Sequence, residues 1–499
     1  MVNIDSFRVR AQKAHIKEGE EMDDRNQVES LIQAQSDALK RTAKQVWDAA
    51  ELNWRETKSA DALKQYLSEQ GFSIKAPVCG MDTAFIAQQT VGSGGPVVAF
   101  LAEYDALPGL SQCAAHTTPN AVQEGGAGHG CGHNLLGAGA AGAAAALVDA
   151  LKARGLSAVV RCYGCPAEED GGGKVFFARE GAFDDVQAVF AWHPGDANYV
   201  LGQGTLAVTG VLYRFSGITA HAAAAPHTGR SALDACELMN VGCNYLREHI
   251  LPTARLHYAY RDTGGTAPNV VPDRACLHYY VRACKVKDMM EIKKRVDDVA
   301  RGAALMTGTT LSIEEVDGFS DFIPNRTLSE LTAQCLEEIG APAFDSEDEA
   351  LAQRFSASFS PEARMANLAV SCHQSGLDAN ELAQQVLCRQ TAPYRHEPHL
   401  TEPGSTDVGD VSYCAPTVQL YCSCWALGSG GHNWQVTAQS ASSLGEKGML
   451  TAAKVLALAA LRAVEQPELL AAAEKELKQT CPDGYYCPMP AQAKPHPAP

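Results

Sequence analysis

Three short apolar segments each end at side chains that carry negative charge or can bind a metal, and this pattern constrains the fold most strongly. The segments are residues 97–102, 158–163 and 188–191, and the polar groups after them are Glu103 and Asp105, Glu168 and Glu169, and His193. Apolar runs that stop at polar groups, proline or glycine are typical of buried parallel strands, whose carboxyl ends meet at one edge of a sheet. The sequence therefore predicts an α/β domain with a polar site at that edge.

A glycine-rich stretch continues this predicted domain. Residues 125–134 read GGAGHGCGHN and run into an Ala/Gly-rich apolar segment at residues 137–151. That segment is shorter than the roughly 20 apolar residues that a membrane span needs, so we expect a buried helix. Helical spacing of apolar residues predicts further helices within residues 28–71 and at residues 448–464.

From about residue 205 the pattern changes to short strands that alternate with helices. The predicted strands are residues 206–215, 275–283 and 310–316, and the predicted helices are residues 231–249 and 289–307. We therefore expect a smaller α+β domain, residues 206–323, inserted into a larger catalytic domain made of residues 1–205 and 324–470. The proline-rich residues 480–499 are expected to be disordered.

Length, net charge and cysteine content limit the domain number, the partners and the location that we expect for this chain. The chain has 499 residues, which favours two domains over one. Its net charge of −17 disfavours nucleic acid and anionic membranes as partners. The polar N-terminal segment lacks the apolar core of a signal peptide. The 17 cysteines are an odd number in a chain without an export signal, so we expect no disulfide framework and a reducing, cytoplasmic location.

Five residues have the side chains and the settings of metal ligands: Cys131, His133, Glu169, His193 and His432. Glycines precede Cys131, His133 and His432, which leaves their side chains unobstructed. Thiolate and imidazole ligands suit Zn, Mn, Co or Ni. Glu168 precedes a ligand carboxylate, so one of the two can bind metal while the other acts as a general base. Each signal alone is more often structural, but their order at successive strand ends makes a chance combination improbable.

Four segments resemble metallopeptidase family 20: residues 100–109 (FLAEYDALPG), 128–134 (GHGCGHN), 166–169 (PAEE) and 192–194 (WHP). More narrowly, they resemble its amidohydrolase branch of aminoacylases, hippurate hydrolases and auxin-conjugate hydrolases. Asn134 and the long N-terminal helical segment are most similar to the p-aminobenzoyl-glutamate hydrolases and related dipeptidases of that branch. The resemblance implies an α/β catalytic domain interrupted by a ferredoxin-like lid domain that also dimerises.

The resemblance also implies roles for residues of the predicted site. Two divalent metal ions, Mn or Zn in the first place and Co or Ni as alternatives, would be bound by Cys131, His133, Glu169, His193 and His432. Glu168 would be the general base, and Asp105 would orient a metal ligand. The family's strand-end motif usually reads Asp-x-Asp, whereas this chain has Glu103 at the first position, so the role of Glu103 stays open.

The resemblance extends to the lid domain. His221 lies in a segment similar to the family's Gly-x-x-x-His and would donate to the developing oxyanion, in the partner subunit's site. Asn269 lies in a segment similar to one that holds the substrate carboxylate or carbonyl. Arg282 is a candidate for gripping the substrate carboxylate through paired hydrogen bonds, with Arg274 and Arg230 as alternatives.

The predicted function is a metal-dependent amidohydrolase or peptidase acting on a small amide substrate with a free carboxylate, either an N-acyl amino acid or a p-aminobenzoyl-glutamate-like compound. The alternative is a non-hydrolytic subunit, or one that acts only with a homologous partner subunit. A thiol-redox protein built on Cys162 and Cys165 is a third interpretation. Among these, the presence of Glu168 favours the hydrolase, because a base is needed only for catalysis.

Overall fold

The computed structural model describes residues 23–495. Residues 1–22 of the predicted catalytic domain and residues 496–499 of the predicted tail lie outside the described residues. Fifteen strands are described, and β1 to β15 are, in chain order, Ser73–Lys75, Phe85–Val91, Val97–Glu103, Ala158–Cys165, Ala188–Gly195, Tyr199–Val200, Gly204–Thr205, Ala207–Ser216, Ala220–His221, Arg255–Asp262, Val270–Val271, Arg274–Ala283, Thr310–Phe319, Thr401–Glu402 and Thr417–Ser423.

The described α-helices are numbered in the same way. Helices α1 to α14 are Asp24–Ala49, Thr57–Glu69, His133–Arg154, Gly173–Arg179, Ala232–Leu246, Val286–Thr307, Arg326–Ile339, Ser346–Ser356, Pro361–Ser375, Ala379–Ala383, Val408–Cys414, Trp434–Gln439, Ser443–Glu465 and Pro467–Thr480. Short 3-10 turns are formed by Pro226–Thr228 and Arg247–His249.

A seven-stranded sheet in the order β1-β2-β4-β3-β5-β15-β6 forms the centre of the larger domain. Strands β4, β3, β5 and β15 are mutually parallel, so their carboxyl ends lie along one edge. These strands are buried along nearly their whole length, as expected for a parallel sheet covered on both faces. The three strands predicted from apolar runs are β3, β4 and β5.

Helix α3 packs against this sheet and against α1 and α13. Its first 18 positions are almost all buried, because alanine and glycine let neighbouring elements approach closely. Of the described helices, only α3 is long and apolar enough to span a bilayer, and 94% of its most apolar window is buried inside the protein. The burial agrees with the buried helix that its alanine and glycine content predicts.

The smaller domain contains a four-stranded antiparallel sheet in the order β10-β12-β8-β13. The chain order is β8-α5-β10-β12-α6-β13, which is the ferredoxin-like connectivity. Apolar side chains of α5 and α6 share one core with the sheet. The predicted fold class, an α/β catalytic domain with a smaller α+β domain, is confirmed. Strand β10 was not predicted, because it is an edge strand with mostly exposed residues and no apolar run.

Residues 481–495, within the segment expected to be disordered, contact the rest of the protein. Tyr485 donates a hydrogen bond to Asp410 Oδ1 (2.9 Å), and Met489 is only 7% exposed. Met489 belongs to an apolar cluster whose other buried members are Val175, Val208 and Phe319. Isolated aromatic and apolar side chains of this proline-rich segment thus have buried partners on both domains.

Candidate metal centre

The candidate site lies where the parallel strands end. Glu103 is the last residue of β3, and His193 lies near the end of β5. Glu168 and Glu169 follow β4, and His133 is the first residue of α3. The topology therefore brings together side chains that are far apart in the sequence, as the strand-end pattern predicts.

The turn before α3 explains why Cys131 and His133 are separated by glycine. Gly132 has a φ of 79°, in the left-handed region that side chains with a Cβ rarely adopt. A Cβ at Gly132 would also lie 3.0 Å from a ring atom of Trp425 and 3.1 Å from Pro194. The glycine is thus required both by the backbone conformation and by the close packing, and it aims the two flanking side chains at the same space.

His432 approaches the site from the loop after β15. Its φ is 61°, an unfavourable value for a residue other than glycine. The backbone N–H of His432 donates to Gly130 O (2.8 Å), and Asn433 caps the following helix α12. Backbone strain of this kind persists only where the surrounding structure holds it, and it concentrates at functional sites.

Two groups of potential ligands share one thiolate. The first is Cys131, His133 and His193, and the second is Cys131, Glu169 and His432. Cys131 Sγ lies 3.3 Å from His193 Nε2, and Glu169 Oε2 lies 3.2 Å from His432 Nε2. A shared cysteine suits a centre of two ions, and the combination of thiolate, imidazole and carboxylate suits Zn or another late first-row metal.

Hydrogen bonds outside these groups orient the imidazoles. Asp105 Oδ1 lies 2.9 Å from His133 Nδ1, and His193 Nδ1 donates to the carbonyl of Pro194 (2.7 Å). Both histidines are thereby left with Nε2 directed at the shared space. The second oxygen of Asp105 accepts from the N–H of Glu169 (2.9 Å), so one carboxylate orients parts of both ligand groups.

Several buried atoms at the centre of the cluster fit a bound cation. His133 Nε2, Glu169 Oε1 and Glu103 Oε2 are buried and have no hydrogen-bond partner among the described residues. Buried polar atoms are rarely left unpaired in proteins, and metal ions bound among these side chains would satisfy them. The donor set therefore fits the divalent metal ions that the sequence predicts.

Electrostatics favour the thiolate form of Cys131. Burial raises its pKa and the Glu169 carboxylate raises it further, but His193 and His133 outweigh both and lower the pKa of Cys131 to about 5. The thiolate is the form that binds metal. This residue is therefore prepared to act as a ligand near neutral pH.

Glu168 lies beside the ligands with its own carboxylate 4.0 Å from His133 Nε2. Burial raises the pKa of Glu168 well above its ordinary value, and the carboxylates of Glu103 and Glu169 raise it further. A carboxylate with a raised pKa is a better proton acceptor than an exposed one. The position and the pKa of Glu168 suit the general-base role predicted for it.

The predicted lid residues His221 and Asn269 lie on the smaller domain. His221, on β9, is exposed, and its Nδ1 accepts from the N–H groups of Ala223 and Ala224 (3.2 Å each). Asn269 precedes β11, which pairs with β9, so it lies close to His221. The hydrogen bonds described for both residues are made within the smaller domain.

Arg282 lies on β12 at the junction of the two domains. Its guanidinium donates to Ser405 Oγ (2.8 Å) and lies over the ring of Tyr280. The alternative Arg274 forms an ion pair with Asp262. Arg282 is thus the candidate that contacts the catalytic domain directly.

Two buried groups at the site were not predicted. Lys174 is fully buried between Glu103 and Asp407, and Asp407 belongs to the chain that follows the smaller domain. Glu56 accepts hydrogen bonds from the N–H of Ala167 and from Thr83 Oγ1 (2.9 Å each). The only local sequence feature that could have indicated Lys174 is its position after three glycines. No local feature indicates Glu56.

The thiol-redox interpretation does not fit the surroundings of the Cys-x-x-Cys pair. Cys162 and Cys165 lie on β4 and are fully buried. Burial raises the pKa of Cys162 to about 12 and that of Cys165 well above its ordinary value. Reactive redox thiols are accessible and have lowered pKa values. All 17 cysteines are free, so none is held in a disulfide.

Comparisons with known proteins agree with this geometry. The model of peptidase family M20/M25/M40 matches residues 99–462. The chain is 41% identical over 475 residues to one of the p-aminobenzoyl-glutamate hydrolase subunits of Escherichia coli (strain K12), covering 94% of this chain and 98% of that protein. It is 30% identical over 461 residues to the Xaa-Arg dipeptidase of Mus musculus, covering 90% of each chain.

A solved structure shows the same fold. The dinuclear metal-binding peptidase of family M20 from Bacillus subtilis superposes with a TM-score of 0.53 at 19% identity, covering 86% of this chain and 99% of that one. Together with the hydrolase relatives, the family match confirms the predicted class of enzyme, a metal-dependent amidohydrolase. Since the family model covers most of the chain and its sequence relatives extend over nearly all of it, this chain belongs to peptidase family M20/M25/M40.

Proposed function

We propose that the chain hydrolyses an amide bond next to a free carboxylate in a small substrate, using a two-metal centre and Glu168 as the base. The observation that carries this proposal is the position of the Glu168 carboxylate beside two ligand groups that share Cys131. A base next to a metal-capable cluster supplies the two components that amide hydrolysis by water requires.

The proposed ligands are Cys131, His133, Glu169, His193 and His432, with Cys131 common to both ions. We propose Mn or Zn as the metals, with Co or Ni as alternatives, because thiolate and imidazole bind all four. When bound, such ions acidify a coordinated water and polarise a carbonyl oxygen.

Glu168 carries the proton through the reaction. Its carboxylate takes a proton from the attacking water and then delivers this proton to the nitrogen of the departing amine. The raised pKa of Glu168 suits both steps, because the group must accept a proton and then hold it until the C–N bond breaks. Asp105 keeps His133 and the Glu169 backbone in place during this transfer.

The substrate class follows from the relatives and from the cations near the site. The relatives are named for p-aminobenzoyl-glutamate and for dipeptides ending in arginine, which share an amide next to a carboxylate. Arg282 at the domain junction is our candidate for binding that carboxylate in a bidentate manner. Asn269 would contact the carboxylate or the scissile carbonyl.

We propose a homodimer that forms through the smaller domain, with His221 completing the partner's site. The outer face of α5 exposes Val241 (50%) and Tyr245 (75%), and β10 is an open edge strand of the sheet. Exposed apolar groups beside an unpaired sheet edge favour association. His221 is itself exposed on the same domain, so it is available to a second subunit.

The first test is metal-restored hydrolysis. Purified protein is treated with EDTA and then supplied with Mn, Zn or Co, and release of amine is measured from p-aminobenzoyl-glutamate, hippurate, acetylated amino acids and dipeptides. Activity that disappears with EDTA and returns with a metal supports the proposal. Activity that survives complete metal removal would contradict it.

The base is tested with Glu168→Gln. This variant should keep its metal content and lose turnover by roughly 10²- to 10⁴-fold, because only proton transfer is removed. Glu402→Gln, a buried glutamate outside the cluster, is the matched control and should keep activity. Normal turnover by the Glu168 variant would exclude this residue as the base.

The partner role of His221 is tested with mixed dimers. His221→Ala and Glu168→Gln proteins, each inactive alone, should regain activity after subunit exchange if His221 acts on the partner's site, because one site in the mixed dimer is intact. Absence of any recovery would place both residues in the same subunit's site.

A second candidate is a subunit that acts only with a homologous partner. The relative from Escherichia coli is named as a subunit of its hydrolase, and a second, homologous subunit of that hydrolase is 29% identical to this chain over 237 residues. This candidate predicts bound metals but no turnover until the partner protein is added. Turnover by the purified chain alone would exclude it.

For either candidate we propose a cytoplasmic location, which the free cysteines support and cell fractionation would check.

A further inference from the structure

One carboxylate oxygen of Glu103 contacts Lys174, and the other is directed at the candidate metal ligands. The side chain is buried at the end of β3, with 3% of the residue exposed. Its Oε1 lies 2.7 Å from Lys174 Nζ. Its Oε2 has no hydrogen-bond partner among the described residues, although burial makes an unpaired carboxylate oxygen costly.

Lys174 keeps Glu103 in this orientation. The ammonium is fully buried and lies 2.5 Å from Asp407 Oδ1, while Asp407 Oδ2 accepts from the backbone N–H of Lys174 (2.9 Å). Burial disfavours the ammonium, but Asp407 and Glu103 raise the pKa of Lys174 well above its ordinary value. The lysine is therefore a fixed cation that holds Oε1, so that Oε2 must face the cluster.

The distance from Glu103 to His133 matches those between the proposed ligands. Glu103 Oε2 lies 3.3 Å from His133 Nε2, compared with 3.3 Å between Cys131 and His193 and 3.2 Å between Glu169 and His432. Nitrogen and oxygen donors bound about 2.1 Å from one ion, at angles of roughly 90° to 110°, lie about 3.0–3.4 Å apart. The spacing is thus that of two ligands on one ion.

We propose that Glu103 is a sixth protein ligand of the metal centre and binds the same ion as His133, with which it forms a third group of potential ligands that also includes Glu168. This inference rests on the two-metal centre of the proposed function.

The proposal explains why this chain departs from the family's usual strand-end motif. Glutamate replaces the aspartate of the strand-end motif, and its longer side chain reaches from Lys174 to the cluster. The buried pair of Lys174 and Asp407 then serves to hold a ligand carboxylate in place. Without a cation beside Oε2, this buried charge network would leave one oxygen unsatisfied.

The test compares metal binding by wild type, Glu103→Gln and the control Glu402→Gln. Each protein is stripped of metal and titrated with Zn against a chromophoric chelator, and bound Zn is counted by elemental analysis. Wild type and the control should bind two ions. Glu103→Gln should bind one of its two ions at least 10-fold more weakly, because a charged ligand is replaced by a weak neutral one.

Two results would overturn the inference. If Glu103→Gln binds two Zn ions with wild-type affinity, Glu103 is not a ligand, and the proposed function is unaffected. Wild-type protein that binds no more than one ion would overturn the two-metal centre itself, and the Glu103 assignment with it.

A measurement on the unaltered protein avoids any folding defect of the variant. In a crystal structure of the Zn-loaded wild type, Glu103 Oε2 should lie about 2.0–2.2 Å from an ion, as carboxylate ligands of Zn do. A water molecule between Glu103 and both ions, with no direct bond, would refute the assignment.

Discussion

Asp105 shows how a single residue can organise several parts of the site. One oxygen lies 2.9 Å from His133 Nδ1, and the other accepts from the N–H of Glu169 (2.9 Å). Burial raises the pKa of Asp105, but the charge and hydrogen bond of His133 outweigh burial, so the pKa is lowered overall. The ionised carboxylate can accept at both oxygens, which is what these two donors require.

Asp105→Asn should therefore weaken metal binding by about 10- to 100-fold, because the amide nitrogen cannot accept a hydrogen bond and one of the two donors loses its partner. Zn affinity, measured by chelator competition, checks this. Asp196→Asn is the matched control: Asp196 is also buried, but it accepts from Ser371 and Gly428 outside the cluster. Equal Zn affinity of both variants and wild type would refute the role of Asp105.

Glu56 supports the loop that carries Glu168. Its Oε1 accepts from the N–H groups of Trp54 and Ala167 (2.9 Å each), and Ala167 has a φ of 56°. Burial, and then the charge of Asp105, raises the pKa of Glu56 to about 8. Glu56 thus stays protonated in the folded protein over a pH range in which it is ionised after unfolding.

This difference predicts a pH dependence of stability. Between pH 5 and 8 the unfolded chain has lost the Glu56 proton while the folded protein retains it, so this residue's contribution to the free energy of unfolding falls as pH rises. Glu56→Gln should remove that fall. The difference in the free energy of unfolding between this variant and wild type should therefore shift by about 3–5 kcal/mol in favour of the variant from pH 5 to pH 8. Denaturation curves at both pH values measure it, with the exposed Glu69→Gln as control. A constant difference between variant and wild type would contradict the prediction.

At the scale of elements, helix α3 depends on small residues to pack against the sheet. A Cβ at Gly137 would lie 2.5 Å from the backbone carbonyl oxygen of Glu103. Glycine in a helix normally costs stability, because of its conformational freedom in the unfolded chain. Here the close approach of α3 to β3 outweighs that cost, and it also brings Glu103 and His133 together.

Gly137→Ala should lower the free energy of unfolding by about 1–3 kcal/mol, since the added methyl group meets rigid backbone. The matched control is Gly302→Ala in α6, where a Cβ would meet nothing within 4 Å. That change should raise stability by about 0.5–1 kcal/mol. Chemical denaturation measures both, and effects of the same sign would show that packing does not decide the result.

At the scale of the whole molecule, the C-terminal segment joins the two domains. Met489 packs between Val175 of the larger domain and Val208 and Phe319 of the smaller one. Arg282 of the smaller domain donates to Ser405 Oγ of the larger one (2.8 Å). These contacts hold the smaller domain relative to the strand ends that carry the site.

Met489→Ala should therefore destabilise the folded protein by about 2 kcal/mol, through the cavity left between the domains. Tyr486→Ala is the control, because Tyr486 is 61% exposed and its loss should change stability by less than about 0.5 kcal/mol. Guanidinium denaturation compares the two. Equal stabilities would mean that the segment contributes nothing to domain packing.

Part of the site follows from local sequence alone. Strand ends and glycine-flanked histidines are encoded within a few residues, so Cys131, His133 and His193 could be identified as candidate ligands without a structure. The same holds for the parallel sheet, since apolar runs report burial directly. Their roles as ligands stay predictions until metal binding is measured.

The sequence by itself determined the fold class, the family and the set of residues at the strand ends, because each of these depends on short-range patterns. Only the tertiary structure decided how Lys174 is neutralised, since its partner Asp407 is 233 residues away. It likewise decided the contacts of residues 481–495 and the pairing of the edge strand β10. Contacts between distant segments depend on the packing of the whole chain, and no local pattern records them.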